Sequence, residues 1–135
     1  MVSSFALPVL TKLPEALRGL EKPSVVAHAL AMKLQAAHVS GPLTGVGSEK
    51  DLYMAFGIAF FMNQPWYGEE RHPTLEQLKT TQATLCVIPR NTAFLTQLDA
   101  SPTWRNLDPL LFASAEEAQR YPWRVYQRTD NPGGL

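Results

Sequence analysis

Cysteine is almost missing from this chain: Cys86 is the only one in 135 residues. A single cysteine excludes an internal disulfide framework and fits a reducing compartment. An excess of charge of either sign is missing too, because twelve Lys and Arg balance twelve Asp and Glu. A general polyanion binder needs a basic excess, so wholesale phosphate binding is disfavoured. The three histidines are His28, His38 and His72. His28 and His38 do not have the three- or four-residue spacing of a helical metal pair, and no cysteine pair completes a zinc set. No Gly-x-Ser-x-Gly marks a nucleophile elbow. The adjacent acids Glu69-Glu70 and Glu116-Glu117 point apart on a helix, and the second pair suits a helix first turn. No catalytic residue, metal ligand or cofactor is therefore assigned. No apolar run reaches the roughly 18 residues of a transmembrane span, so no membrane partner is expected. The first residues lack a basic stretch, and Pro8 and Lys12 break their apolar run, so no signal peptide is expected. The chain reads as soluble and cytoplasmic.

What is present is apolar surface. Hydrophobic residues make up 45% of the chain and charged residues 18%. The organising stretch is Leu52 to Met62, Leu-Tyr-Met-Ala-Phe-Gly-Ile-Ala-Phe-Phe-Met. Ser48 precedes it with Asp51 three positions on, the pattern of a capping box. A helix is expected over about 49–63, ended by Pro65. Leu52, Phe56, Ala59, Phe60 and Asn63 share one face by three-and-four spacing, while Met54, Ile58, Phe61 and Met62 share the other. Such a helix, apolar nearly all round, is expected to be buried on several sides, with Phe56 in the core. Gly57 costs about 1 kcal/mol against Ala in a helix, which a close approach by a neighbouring helix could offset.

The remaining elements are cut out by eleven prolines. Phe5, Leu7, Val9 and Leu10 suit an edge strand or arm, and a short helix is expected from Pro14 to Leu20. A helix with Ser24 as cap and Val25 to Val39 as body carries the stripes Val26, Leu30, Leu34, Ala37 and Val25, Ala29, Met32, Ala36. Gly41 to Gly47 reads as a helix–helix turn by composition. Asn63 to Thr74 reads as a polar surface loop bearing Trp66 and Tyr67. Thr74 with Gln77 suggests a cap for a helix from Leu75 to about Gln82. Ala83 to Ile88 is a buried strand, with Cys86 as a small core residue. Ala93 to Leu98 is ambiguous between helix and strand. Ser114 caps a helix ending near Tyr121, and Trp123 to Arg128 is a strand. The expected architecture is a single α+β domain over 1–135, helical in its first half and stranded in its second, with a flexible tail at about 129–135.

Function is read from the C-terminal segment, where aromatics and arginines interleave: Trp104, Arg105, Arg124, Tyr126 and Arg128. On a strand, Tyr121, Trp123 and Val125 share one face, and Arg124, Tyr126 and Arg128 share the other. Arg and aromatic residues are enriched at protein interfaces. The expected function is non-enzymatic recognition of another protein through these residues, with Trp66 and Tyr67 as the next candidates. Small motif-poor proteins of this kind include inhibitors, immunity factors and accessory subunits carried by phages or plasmids, and a homo-oligomer is compatible. Nucleic acid is the alternative partner, because the same residue types stack on single strands. A further alternative is a small-ligand or enzyme site at the Gly41–Gly47 loop.

Overall fold

A computed structural model describes residues 23–70, 75, 78 and 81–129. The elements expected before Pro23, and the tail after Thr129, lie outside the described residues. So do four of the eight residues of the expected 75–82 helix; of the others, Leu75 and Leu78 are helical, Leu78 is buried, and residues 81 and 82 are not helical. The element order is α1 (Pro23–Ala36), β1 (Leu43–Val46), α2 (Glu49–Met62), β2 (Trp66–Glu70), β3 (Leu85–Pro89), α3 (Phe94–Ala100), β4 (Trp104–Asn106), α4 (Asp108–Leu111), α5 (Ala115–Gln119) and β5 (Trp123–Arg128).

The fold is α+β around a mixed five-stranded sheet of order β2-β1-β3-β5-β4. β1 pairs in parallel with β2 and with β3, whereas β5 runs antiparallel to β3 and β4. Alternation along the strands divides the core between the two faces. Leu85, Val87, Trp123 and Val125 face α1 and α2, together with Leu107, Phe112 and Tyr121. Cys86, Ile88 and Tyr126 face the other way, onto Leu78, Phe94, Leu98 and Trp104.

Several elements fall where the residue pattern puts them: α2, β3, the α5 helix capped by Ser114, and β5. The ambiguous segment after Pro89 is the helix α3, which buries Phe94 and Leu98. The first half also holds two strands that composition concealed. Gly41 to Gly47 is not a helix–helix turn, since four of its residues form β1, buried along its length between β2 and β3. Glycine is needed there: a Cβ on Gly45 would stand 2.8 Å from the Ala55 Cβ of α2. The loop expected at Asn63 to Thr74 contains β2, which adds to the edge of the sheet after a parallel crossover through α2. The first helix ends at Ala36 rather than Val39. His38 takes the left-handed turn at φ 60, and the Val39 amide donates back to the Leu34 carbonyl at 2.9 Å. Its first stripe, Val26, Leu30 and Leu34, is buried, but Met32 of the second stands 57% exposed.

Candidate functional site

The helix α2 is held at its start by one carboxylate. Asp51 Oδ2 accepts the Ser48 amide at 2.8 Å and the Ser48 hydroxyl at 2.9 Å. Its Oδ1 accepts the Trp123 indole N–H at 2.7 Å. Gly47 turns the chain into this cap at φ 127, and a Cβ there would run into the Asp51 carboxylate. From that fixed start, Leu52, Met54, Ala55, Ile58, Ala59 and Met62 face the sheet and α1. Ala27 of α1 sits so near that a Cβ on Gly57 would come within 3.0 Å of its side chain.

The rest of α2 faces outward, which corrects the expectation of a helix buried on several sides. A crossover helix lies on one face of its sheet, and among the described residues α1 is the helix that packs beside it. Tyr53 is 65% exposed, Phe56 51%, Phe60 71% and Phe61 37%. These rings form a continuous surface. Tyr53, Phe56 and Phe60 follow one another at three- and four-residue steps. Phe60 and Phe61 meet edge-on at 5.6 Å, Phe61 packs against the His28 ring at 4.7 Å, and Phe56 meets Trp66 edge-on at 6.1 Å. Met32 lies one turn beyond His28 on α1. With aromatic side chains of about 150–250 Å² each, the uncovered apolar area is on the order of 600 Å². That is the upper end of the largest patch on an ordinary monomer.

The sequence-derived candidates are distributed differently. Trp66 is half-buried and joins this surface. Tyr67 follows it on the strand, is exposed, and falls by alternation on the opposite side. Trp104, Tyr126 and Arg128 are buried. The expectation that one face of β5 points to solvent is not met, because β5 is an internal strand and α3 covers that face. The Arg128 guanidinium lies 5.5 Å over the Trp104 ring and donates to the Thr81 carbonyl at 2.8 Å. Arg124 donates to Asp108 at 3.0 Å and to the Tyr126 hydroxyl at 3.1 Å, and that hydroxyl donates to Asp99 at 2.7 Å. Arg90 completes the network with two bonds to Asp108, at 2.6 and 2.8 Å. Burial, then the bond to Asp99, pushes the Tyr126 hydroxyl from 10.0 up to about 12. Of the candidates Arg105, Arg124 and Arg128, Arg105 alone is exposed, donating to Gln127 at 2.9 Å.

Two clefts open near the carboxyl end of the parallel strands. β1 leads to α2 on one face of the sheet and β3 leads to α3 on the other, so a topological switch point lies between them, the usual crevice for ligands in open sheets. A cleft of about 390 Å³ there is lined by Ser48, Lys50, Asp51, Arg90, Asn91 and Trp123. A neighbouring one of about 410 Å³ is lined by residues including Asp108, Phe112, Ser114 and Arg124. Their strongest polar groups are spent within the fold: Asp51 on Ser48 and Trp123, and Arg90, Asp108 and Arg124 mainly on one another. Among the described residues no group of three or more His, Cys, Asp or Glu side chains could hold a metal ion, and no helix is long and apolar enough to cross a membrane. Cys86 is fully buried, which pushes its thiol from 9.0 up to about 12 and leaves it unreactive. No family model, no curated protein and no solved structure matches the chain.

Proposed function

We propose that the chain is a non-enzymatic protein-interaction module whose binding face is the exposed aromatic side of α2. The observation that carries this reading is the row Tyr53, Phe56, Phe60 and Phe61, open to solvent on a helix whose aliphatic residues are buried. Large aromatic side chains are the residues that most often dominate binding energy at interfaces. The class of function is the one expected from composition, but its seat moves from β5 to α2. An inhibitor, immunity factor or accessory subunit working in the cytoplasm fits such a face and the reduced, buried Cys86. The nucleic-acid alternative has less to stand on, since Arg124 and Arg128 are engaged inside the fold. The small-ligand alternative has a crevice at the end of β1, but its strongest polar groups are already satisfied.

Photo-crosslinking tests the reading. Benzoylphenylalanine in place of Phe60 should give a covalent protein adduct, while the same group at exposed Gln97 on α3 should give none. Absence of any adduct at Phe60, or equal labelling at Gln97, would remove α2 as the binding face.

A further inference from the structure

The face of α2 has two properties that together select its occupant. Its charges are confined to the first turn: after the exposed Glu49 and Lys50 and the buried Asp51, no charged side chain occurs on α2 up to Met62. The neighbouring exposed positions of α1, His28, Met32, Gln35 and Ala36, add no formal charge at pH 7. The one lysine of α1 turns away to pair with Glu117 at 2.9 Å. A surface without charge neither attracts a charged partner nor repels a copy of itself. One lysine, Lys50, beside Glu49 at one end is also too little for an anionic membrane surface, which recruits helices with a basic polar face. The second property is size. About 600 Å² of apolar area with a polar rim around it approaches the roughly 800 Å² that each partner gives to a stable interface.

We infer that the occupant is a second copy of this chain, paired through α2 about a two-fold axis; this rests on the reading of α2 as an interaction face. The row Tyr53, Phe56, Phe60 is nearly symmetric about the junction of Phe56 and Gly57. A two-fold axis crossing α2 there lays the two helices antiparallel. It sets Tyr53 of each copy against Phe60 of the other, with the two Phe56 rings at the centre. An isologous contact needs this reciprocity, in which residue i meets j and j meets i.

Charge exchange at the centre tests the pairing. At about 50 µM, sedimentation should show a species of twice the 15.0 kDa chain mass. Phe56→Glu places two carboxylates face to face and Phe56→Lys two ammonium groups, so each variant alone should dissociate with an affinity lowered by roughly 100-fold or more. An equimolar mixture of the two should regain the dimer mass, which a variant that merely failed to fold could not do. Circular dichroism of each variant checks that the fold is kept, and the same exchange at Tyr53 and Phe60 serves as a second pair. A wild-type chain that is monomeric at this concentration overturns the inference, as does a dimer that survives Phe56→Glu. A monomer whose benzoylphenylalanine at Phe60 still captures another protein overturns the second copy while leaving α2 as the interaction face. A monomer with no adduct at that position removes both.

Discussion

The indole N–H of Trp123 reaches Oδ1 of Asp51 at 2.7 Å, tying β5 to the first turn of α2 across 72 positions of sequence. The other oxygen of the same carboxylate caps α2 through Ser48. Asp51→Ala therefore removes a helix cap and leaves a buried indole donor unpaired. The expected loss is about 2–4 kcal/mol, combining the two effects. Asp51→Asn keeps an acceptor for the indole and should lose less. Urea unfolding followed by tryptophan fluorescence reads both, and equal small losses would show that the contact does not hold α2 to the sheet.

The exposed and buried sides of α2 should separate cleanly in stability. Ile58 has no solvent exposure, and Ile58→Ala should cost about 2–5 kcal/mol. Phe60 and Phe56 are mostly free of the core, so Phe60→Ala and Phe56→Ala should each cost less than about 1 kcal/mol in the monomer. This reverses the core role that spacing suggests for Phe56. Thermal unfolding at low protein concentration, where association does not contribute, is the measurement.

Why Phe56 misleads is instructive about what a residue pattern can carry. Apolar character cannot tell a core-facing position from one that faces a partner, because both exclude charge. The separating signal is finer: on α2 the aliphatic residues Leu52, Met54, Ile58 and Met62 take the sheet side, and the aromatics at 53, 56 and 60 form their own stripe. β3 is legible because it is apolar and ends at Pro89, and β5 because its aromatic and β-branched residues, Trp123, Val125 and Tyr126, follow directly on Pro122. β1 is not, because two glycines and a proline surround its few β-branched residues. Its stability as a strand comes from β2 and β3 on either side and from α2 pressing on Gly45, which are tertiary facts. The burial of Tyr126 and Arg128 follows likewise from strand order, since alternation says which face a side chain takes but not whether another layer covers it.

Gly45 offers a direct check on that packing. Gly45→Ala would place a Cβ 2.8 Å from that of Ala55, with the Trp66 ring and Leu52 next in line. The helix must move or the strand must bend, at an expected cost of about 1–3 kcal/mol. Gly57→Leu should be penalised in the same range by its clash with Ala27, despite the better helix propensity of leucine. Denaturant midpoints decide, and a neutral Gly45→Ala would show that α2 rides further from β1.

Asp108 stands between two guanidinium groups, those of Arg90 and Arg124, each with little side-chain exposure. Asp108→Ala leaves both cations without their main counter-charge, and the expected loss is about 3–5 kcal/mol. Removing one arginine should cost less, because the carboxylate keeps the other. If Asp108→Ala and Arg124→Ala destabilise equally in calorimetry, the carboxylate is not the centre of the network.

High pH should weaken the fold before any arginine loses its charge. The Tyr126 hydroxyl is raised by burial and by its bond to Asp99, and the Cys86 thiol by burial alone, each to about 12. Both groups are neutral when protonated, so the folded chain holds these protons more tightly than the unfolded chain does. Their contribution is fully present below the unfolded values, 9.0 for the thiol and 10.0 for the phenol. It is lost as pH climbs from there to about 12, since stability falls with pH wherever the native state binds more protons. The melting temperature should therefore decline from about pH 9 upward, and more steeply above 10 when the tyrosine joins. Cys86→Ala removes one of the two protons and should flatten the first part of that decline, while Tyr126→Phe should flatten the second. Melting curves at half-unit steps from pH 8 to 12, for the wild type and both variants, give the comparison. Parallel declines in all three proteins would mean that neither buried proton couples to folding.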